Sequence, residues 1–360
     1  MGFWTTLLER MMGVRFDGGP TAPSSRSAEF PDGSATAVAT LDPPSDPAED
    51  RFTPVPPEID AWWIPSEGSL KECVSPERPD LSPEARALEN LLISLFDGHD
   101  LNLPPLLNVA ERVLIRLRDS KCSLPDVARD LSNDQVIAAA VLRMANSPLY
   151  RGLNRITSLP IAVGRLGVQA LRTLMMRESL RSAMFNRKRD ETGFAKSIWR
   201  RSLASAAVMQ ALSRFTRIPG DDAALYGLLH DIGNVIVLRV VVDRRDKAGL
   251  EIDEEAFDFL CHECHQEFGE LIANSWKLPA DMAGLIADHH SYPAEDDPLR
   301  TERLQLQVSD MICSLLGYAP YAPYDLLNSR AALDLILPGE RNFTSFLAEL
   351  PETIEEAIGS

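Results

Sequence analysis

An all-α fold is what these 360 residues predict: a helical bundle of two subdomains behind a largely disordered amino-terminal segment. Apolar residues recur at helical spacing from about Ser82 to Leu316, broken only by short polar stretches. No convincing alternating strand and no internal repeat interrupts them. From Phe16 to Pro79, by contrast, no period is sustained.

Residues 1–15 place Phe3, Trp4, Leu7, Leu8 and Met11 on one face of a short amphipathic helix. Such a helix is too short to stand alone in water and calls for a partner, its own domain or a membrane surface. Residues 16–81, typified by PDGSATAVATLDPPSDPAED, are rich in Pro, Ser and Asp. They bury too little apolar area to offset their ordering entropy and are predicted to be a disordered linker. Trp62 and Trp63 in EIDAWWIP are the exception, because paired tryptophans are costly to leave wet. Docking on the folded part and a short recognition element both remain open for them.

Residues 82–190 form the first helical half. It opens with Ser82 as a cap, Pro83 and Glu84 in the first turn, and Leu88, Leu91, Leu92 and Leu95 on one face. Ser123 and Asp134 sit where further caps belong, Ala138, Ala139 and Ala140 permit close packing, and Gly164 and Gly167 are expected to let helices approach. Met175 and Met176 read as core. Residues 191–317 form the second half, and 318–360 an acidic helical extension.

No run approaches the roughly 18 to 20 uninterrupted apolar residues of a membrane-spanning helix. Glu9 and Arg10 stand where a signal peptide needs apolar residues, so a cytoplasmic location is expected. Five cysteines in so long a chain speak against a disulfide framework. The net charge of −17 hides an asymmetry: from Arg143 to Arg217 thirteen arginines and two lysines face three acids, a local +12. This island either attracts a nucleotide, RNA or an acidic protein, or pairs with acids elsewhere in the fold. Arg187, Lys188 and Arg189 form a basic patch within it, expected in an exposed loop. Few aromatics interleave with these charges, which makes nucleic acid a minor reading.

Histidines and acids recur in the second half as YGLLHDIGNVIVL, CHECHQEFGELIANSWKLP, LIADHH and LQVSDMICSLLG. Imidazole and carboxylate donors together suit Mn, Fe, Zn or Ni. Cys261, Cys264 and His265 also spell C-x-x-C-H, the haem-attachment pattern. That chemistry normally follows export, and zinc would need two more soft ligands, so two incidental cysteines on a helix are the default.

Several separated stretches resemble the HDOD domain, a bacterial signalling module of the HD-phosphohydrolase superfamily. LPPLLNVAERVLIRLRD resembles its opening helix, the run from Leu142 to Ser147 a hallmark, and ITSLPIAVGRLGVQALRTLMM its Leu-Gly element. The resemblance implies a metal site at His230, Asp231, His265, His289, His290 and Asp310, with the His230-Asp231 doublet on an apolar helix. It also aligns Arg201 with the family's first histidine, and an arginine stays protonated and cannot ligate a metal. Asn234 stands where cyclic-di-GMP phosphodiesterase relatives carry lysine, and SYPAEDD after His290 lacks their Asp-Gly-x-Gly-Tyr-Pro signature.

A buried His–Asp pair can equally be a hydrogen bond that joins helices, and both uses stay open for His230 and Asp231. The leading expectation is a non-catalytic regulatory module that senses a ligand or docks signalling partners. A metal-dependent phosphohydrolase is the enzyme alternative, with His230 and Asp231 catalytic and Arg201, Arg200 and Asn234 on phosphate. A binder of nucleotide, RNA or acidic protein through residues 143–217 is the third.

Overall fold

The computed structural model describes residues 79–98, 101–119, 122–147, 150, 152, 154–185, 193–319, 329–335 and 343–359. The expected amino-terminal helix, the expected linker with Trp62 and Trp63, and the Arg187, Lys188 and Arg189 patch lie outside them.

Among the described residues the fold is all-α, with no strand. The first half comprises α1 (Pro83–Gly98), α2 (Asn108–Leu117), α3 (Leu124–Ser132), α4 (Gln135–Ala145) and α5 (Leu159–Phe185). The expected caps form: Ala85 N donates to Ser82 Oγ at 3.1 Å, Ser123 accepts from Asp126 N, and Asp134 accepts from Val136 N and Ile137 N. Each satisfies an amide that the helix leaves without a main-chain partner.

Two expectations for small residues are corrected. Of Ala138, Ala139 and Ala140 only Ala140 is buried. Gly167 has no atom within 4 Å of where a Cβ would stand; its φ of 73° and ψ of 179° instead kink α5 at a backbone position that a glycine can hold without strain. Gly164 makes only an ordinary contact with Leu124.

The second half continues with α6 (Phe194–Leu212), a 3-10 turn, α7 (Gly220–Leu229), α8 (Asn234–Ala248), α9 (Glu254–Ser275), α10 (Ala280–Ala287) and α11 (Arg300–Leu315). The carboxy-terminal extension supplies α12 (Arg330–Leu335) and α13 (Phe343–Gly359). One apolar core runs from Leu81 to Ile286 and so is shared by both halves, with Met175 and Met176 inside it. A second core joins α6 and α11 to the extension through Leu212, Ile312, Phe346 and Ile354.

Close helix contact is carried by glycines of the second half. A Cβ on Gly227 would lie 2.5 Å from the Ser205 carbonyl, and one on Gly233 would overlap the His265 carbonyl. α7 therefore seats on α6, and the α7–α8 turn on α9, at backbone distance. The stretch Gly220–Ala248 is long and apolar enough, at mean hydropathy 1.6, to resemble a membrane span, but 78% of its most apolar window is buried inside the protein. Its hydrophobicity is that of a core helix pair.

Candidate metal centre

Four separate elements deliver six imidazole and carboxylate groups to one place. His230 is the last-turn cap of α7 and Asp231 lies in the turn before α8, so the doublet sits between two helices rather than within one as expected. The close seat of Gly233 on α9 brings that turn against His265. His289 and His290 follow α10, and Asp310 stands on α11.

The donor atoms converge. His265 Nε2 lies 3.3 Å from His289 Nε2 and 3.0 Å from His290 Nε2. Asp231 Oδ1 is 3.4 Å from His230 Nε2, 3.4 Å from His265 Nε2 and 3.6 Å from His289 Nε2. Asp310 Oδ1 is 3.2 Å from His230 Nε2. With metal–nitrogen bonds of about 2.1 Å, neighbouring ligand atoms stand about 3.0 to 3.4 Å apart in octahedral or tetrahedral geometry. Two groupings, His265–His289–His290 and His230–His289–Asp310, keep their donor atoms within 4.8 Å of one another.

Hydrogen bonds on the far side of each ring decide which nitrogen faces inward. His230 Nδ1 donates to the Gly227 carbonyl at 2.9 Å, His289 Nδ1 to that of Ile286 at 3.2 Å, and His265 Nδ1 to those of Cys261 and His262 at 3.0 and 2.8 Å. A neutral imidazole that donates through Nδ1 presents a lone pair at Nε2. His265 and His289 turn such lone pairs toward one another beside the Asp231 carboxylate, and the set fits a divalent cation.

Ionisation divides the cluster. Burial drives the His265 pKa down to about 4 against the pull of Asp231, so its ring is neutral at pH 7. Burial, with the charges of His289 and His265, lowers that of His290 further. His230 behaves oppositely: burial disfavours its proton, but Asp231 and Asp310 outweigh burial and raise it to about 9. Asp231 is held well below the ordinary carboxylate range, because its histidine neighbours outweigh the burial that would raise it.

The remaining candidates divide. Arg201 and Asn234 are buried and line the cavity over the cluster, which is about 30 Å³. Arg201 Nη2 is 3.2 Å from Asp258 Oδ1 across that wall. Asn234 Oδ1 is buried without a hydrogen-bond partner. Arg200 does not join them; it is exposed against Glu355 and over the Tyr318 ring, pointing to the extension. Cys261 lines the cavity, but neither it nor Cys264 belongs to a metal-holding group among the described residues.

Two participants escape a reading by motif. His262, one turn before His265 on α9, lines the cavity, its ring centroid 5.3 Å from that of His290. The i, i+3 spacing of His262 and His265 was the available signal. Gln307 Nε2 donates to the His289 carbonyl at 3.0 Å and to that of Ser291 at 2.8 Å, pinning the segment that carries both adjacent histidines. Nothing in the sequence marks it.

Comparison with known proteins gives a consistent family. The HDOD domain matches residues 103–292. An uncharacterised protein of Treponema pallidum (strain Nichols) is 23% identical over 243 residues; these are 64% of this chain and 46% of that protein, so the chain spans about half the relative's length. A solved Shewanella amazonensis SB2B protein, provisionally described as a metal-dependent phosphohydrolase, has a TM-score of 0.62 at 19% identity, over 77% of this chain and 100% of its own. An HDOD domain protein of unknown function from Geobacter sulfurreducens has a TM-score of 0.55 at 24% identity, covering 76% and 97%. A Marinobacter aquaeolei VT8 protein, provisionally described as acting in signal transduction, has a TM-score of 0.56 at 21% identity, covering 78% and 66%. At these identities the solved structures establish the fold alone.

Proposed function

The chain belongs to the HDOD family, and from that premise we propose that it is a bacterial signal-transduction module: its His–Asp cluster holds one divalent transition metal, and it regulates by sensing a ligand or docking partners instead of hydrolysing a substrate. Asp231, His265, His289 and His290 would hold the ion, with His230 and Asp310 beside it. Such a metal, when bound, acts as a Lewis acid and lowers the pKa of a coordinated water.

The carrying observation is a donor set turned inward beneath very little space. The cavity over the cluster is about 30 Å³. That admits water, whereas sites for small organic ligands occupy roughly 300 to 1,000 Å³. Arg201, paired with Asp258, lines the same cavity. The sharing of His289 supports one ion per chain: both three-residue groupings use its Nε2, and its Nδ1 is committed to the Ile286 carbonyl.

A phosphodiester assay with added Mn or Fe tests this. The expected result is no turnover; turnover abolished by His230→Ala would overturn it and favour the phosphohydrolase reading, for which the second grouping of His230, His289 and Asp310 speaks. Electrostatic capture by residues 143–217 gains less support. Arg181, Arg200, Arg201 and Arg214 of that island each face an acid, respectively Glu178, Glu355, Asp258 and Glu349.

A further inference from the structure

Away from the metal cluster, α1 and α8 leave a groove of about 270 Å³ between them. Its floor is apolar, formed by Leu91 and Leu95 of α1 and by Ile236 and Val240 of α8. Its rim is net basic: Lys247 pairs with Asp243 at 3.0 Å, and Arg239 and Arg244 add two further cations. Leu91, Leu95 and Val240 are only half-buried, on helices whose other faces enter the core. Half-wet leucines beside a row of cations suit a ligand that is apolar at its centre and acidic at its flanks.

The chain carries such a segment. Residues 58–67 read EIDAWWIPSE, in which Ile59, Trp62, Trp63 and Ile64 are enclosed by Glu58, Asp60 and Glu67 with no base among them. We propose that this segment docks in the α1–α8 groove of its own chain, a tryptophan on the leucine floor and the acids toward the rim. Buried tryptophans remove more apolar surface from water than any other residue could here, and the flanking charges select this groove over uncharged surface.

Geometry permits it. Fifteen residues lie between Trp63 and Pro79, where the described chain begins. Extended, they reach roughly 50 Å, while Leu95 lies about 18 Å along the helix from Pro83. Residues 1–15 are the poorer occupant, since their charges, Glu9 against Arg10 and Arg15, do not complement a basic rim. α8 links the groove to the cluster: Asn234 lines the metal cavity and Ile236, two residues on, floors the groove. The inference does not depend on a metal being bound.

The test uses the full chain with the photoreactive amino acid p-benzoylphenylalanine at position 63, illumination, and peptide mapping of the adducts. Adducts should appear at monomer mass and map to residues 91–102 or 236–247. The charge reversal Arg244→Glu with Lys247→Glu should lower their yield about fivefold or more. Because those substitutions could disturb α8, the unreversed protein is also illuminated across salt from about 0.1 M to about 1 M, where the yield should fall. Adducts at dimer mass, adducts elsewhere, absence of adducts, or a yield indifferent to both rim charge and salt would each overturn the proposal.

Discussion

His265 and His289 meet at their Nε2 atoms, 3.3 Å apart, although one stands within α9 and the other follows α10. Each is turned to that meeting by an Nδ1–H bond to a main-chain carbonyl of its own segment, so neither can rotate away without leaving a buried polar atom unpaired. Two rigid lone pairs aimed at one point, with Asp231 beside them, are a coordination geometry imposed by the backbone. This arrangement supports metal binding more strongly than the presence of the residues alone.

Gly233 sets the distance between the α7–α8 turn and α9. Gly233→Ala would drive a methyl into the His265 carbonyl, an overpacking that costs about 3 kcal/mol or more and displaces Asp231. Gly167→Ala meets no atom and pays only for its backbone conformation, about 1 to 3 kcal/mol. Denaturant unfolding should rank Gly233→Ala as the more damaging, and only that variant should lose metal affinity.

Arg201 and Asp258 form a pair with side chains 7% and 14% exposed. Arg201→Ala takes the guanidinium away from a half-buried carboxylate and should cost about 1 to 3 kcal/mol. Replacing both partners by leucine should recover most of that loss, because a well-packed apolar pair avoids the desolvation penalty. Equal losses in the single and double variants would mean that Arg201 acts through something other than Asp258.

Much of this was legible in sequence, and the reason differs by residue. Ser82, Ser123 and Asp134 cap helices because capping is local, settled by a side chain and the amides two or three residues on. The six chelating candidates were legible as a set through resemblance, and the fold brings all six together. What stayed hidden depends on contacts between distant segments. Gly227 and Gly233 look like ordinary helix-breaking residues until the Ser205 and His265 carbonyls are placed beside them. Arg200 and Arg201 are adjacent in sequence yet point to the extension and to the cavity, a division set by α6 packing against α13 on one side and reaching Asp258 of α9 on the other. Gln307 carries no mark in the sequence, and its role depends on the His289 and Ser291 carbonyls that the fold places beside it.

Gln307→Leu removes the donor to both those carbonyls. Outer-shell losses of this kind typically reduce metal affinity by about 10 to 100-fold. Titration with a chromophoric chelator competing for zinc should register that fall, while Gln305→Leu, whose amide donates to the Met209 carbonyl away from the cluster, should leave affinity unchanged.

Metal-free protein should be most stable near pH 6.5 as far as this cluster is concerned. His265, with its folded pKa lowered to about 4 from 6.5, destabilises the fold progressively as pH falls from 6.5, because only the unfolded chain then takes the proton. His230, raised to about 9, contributes stability that is full below 6.5 and lost as pH rises through 9. Each slope is at most about 1.4 kcal/mol per pH unit. Thermal melts of chelator-treated protein should show the maximum, and His230→Gln should remove the alkaline limb alone.

The most direct measurement is the metal content of freshly purified full-length protein, by elemental analysis, beside that of His289→Ala. The prediction is about one divalent transition ion per chain in the first and almost none in the second, since both donor groupings require that imidazole. Clearly substoichiometric metal that returns neither on addition of Mn, Fe nor Zn, or a content indifferent to His289→Ala, would contradict a metal-holding cluster.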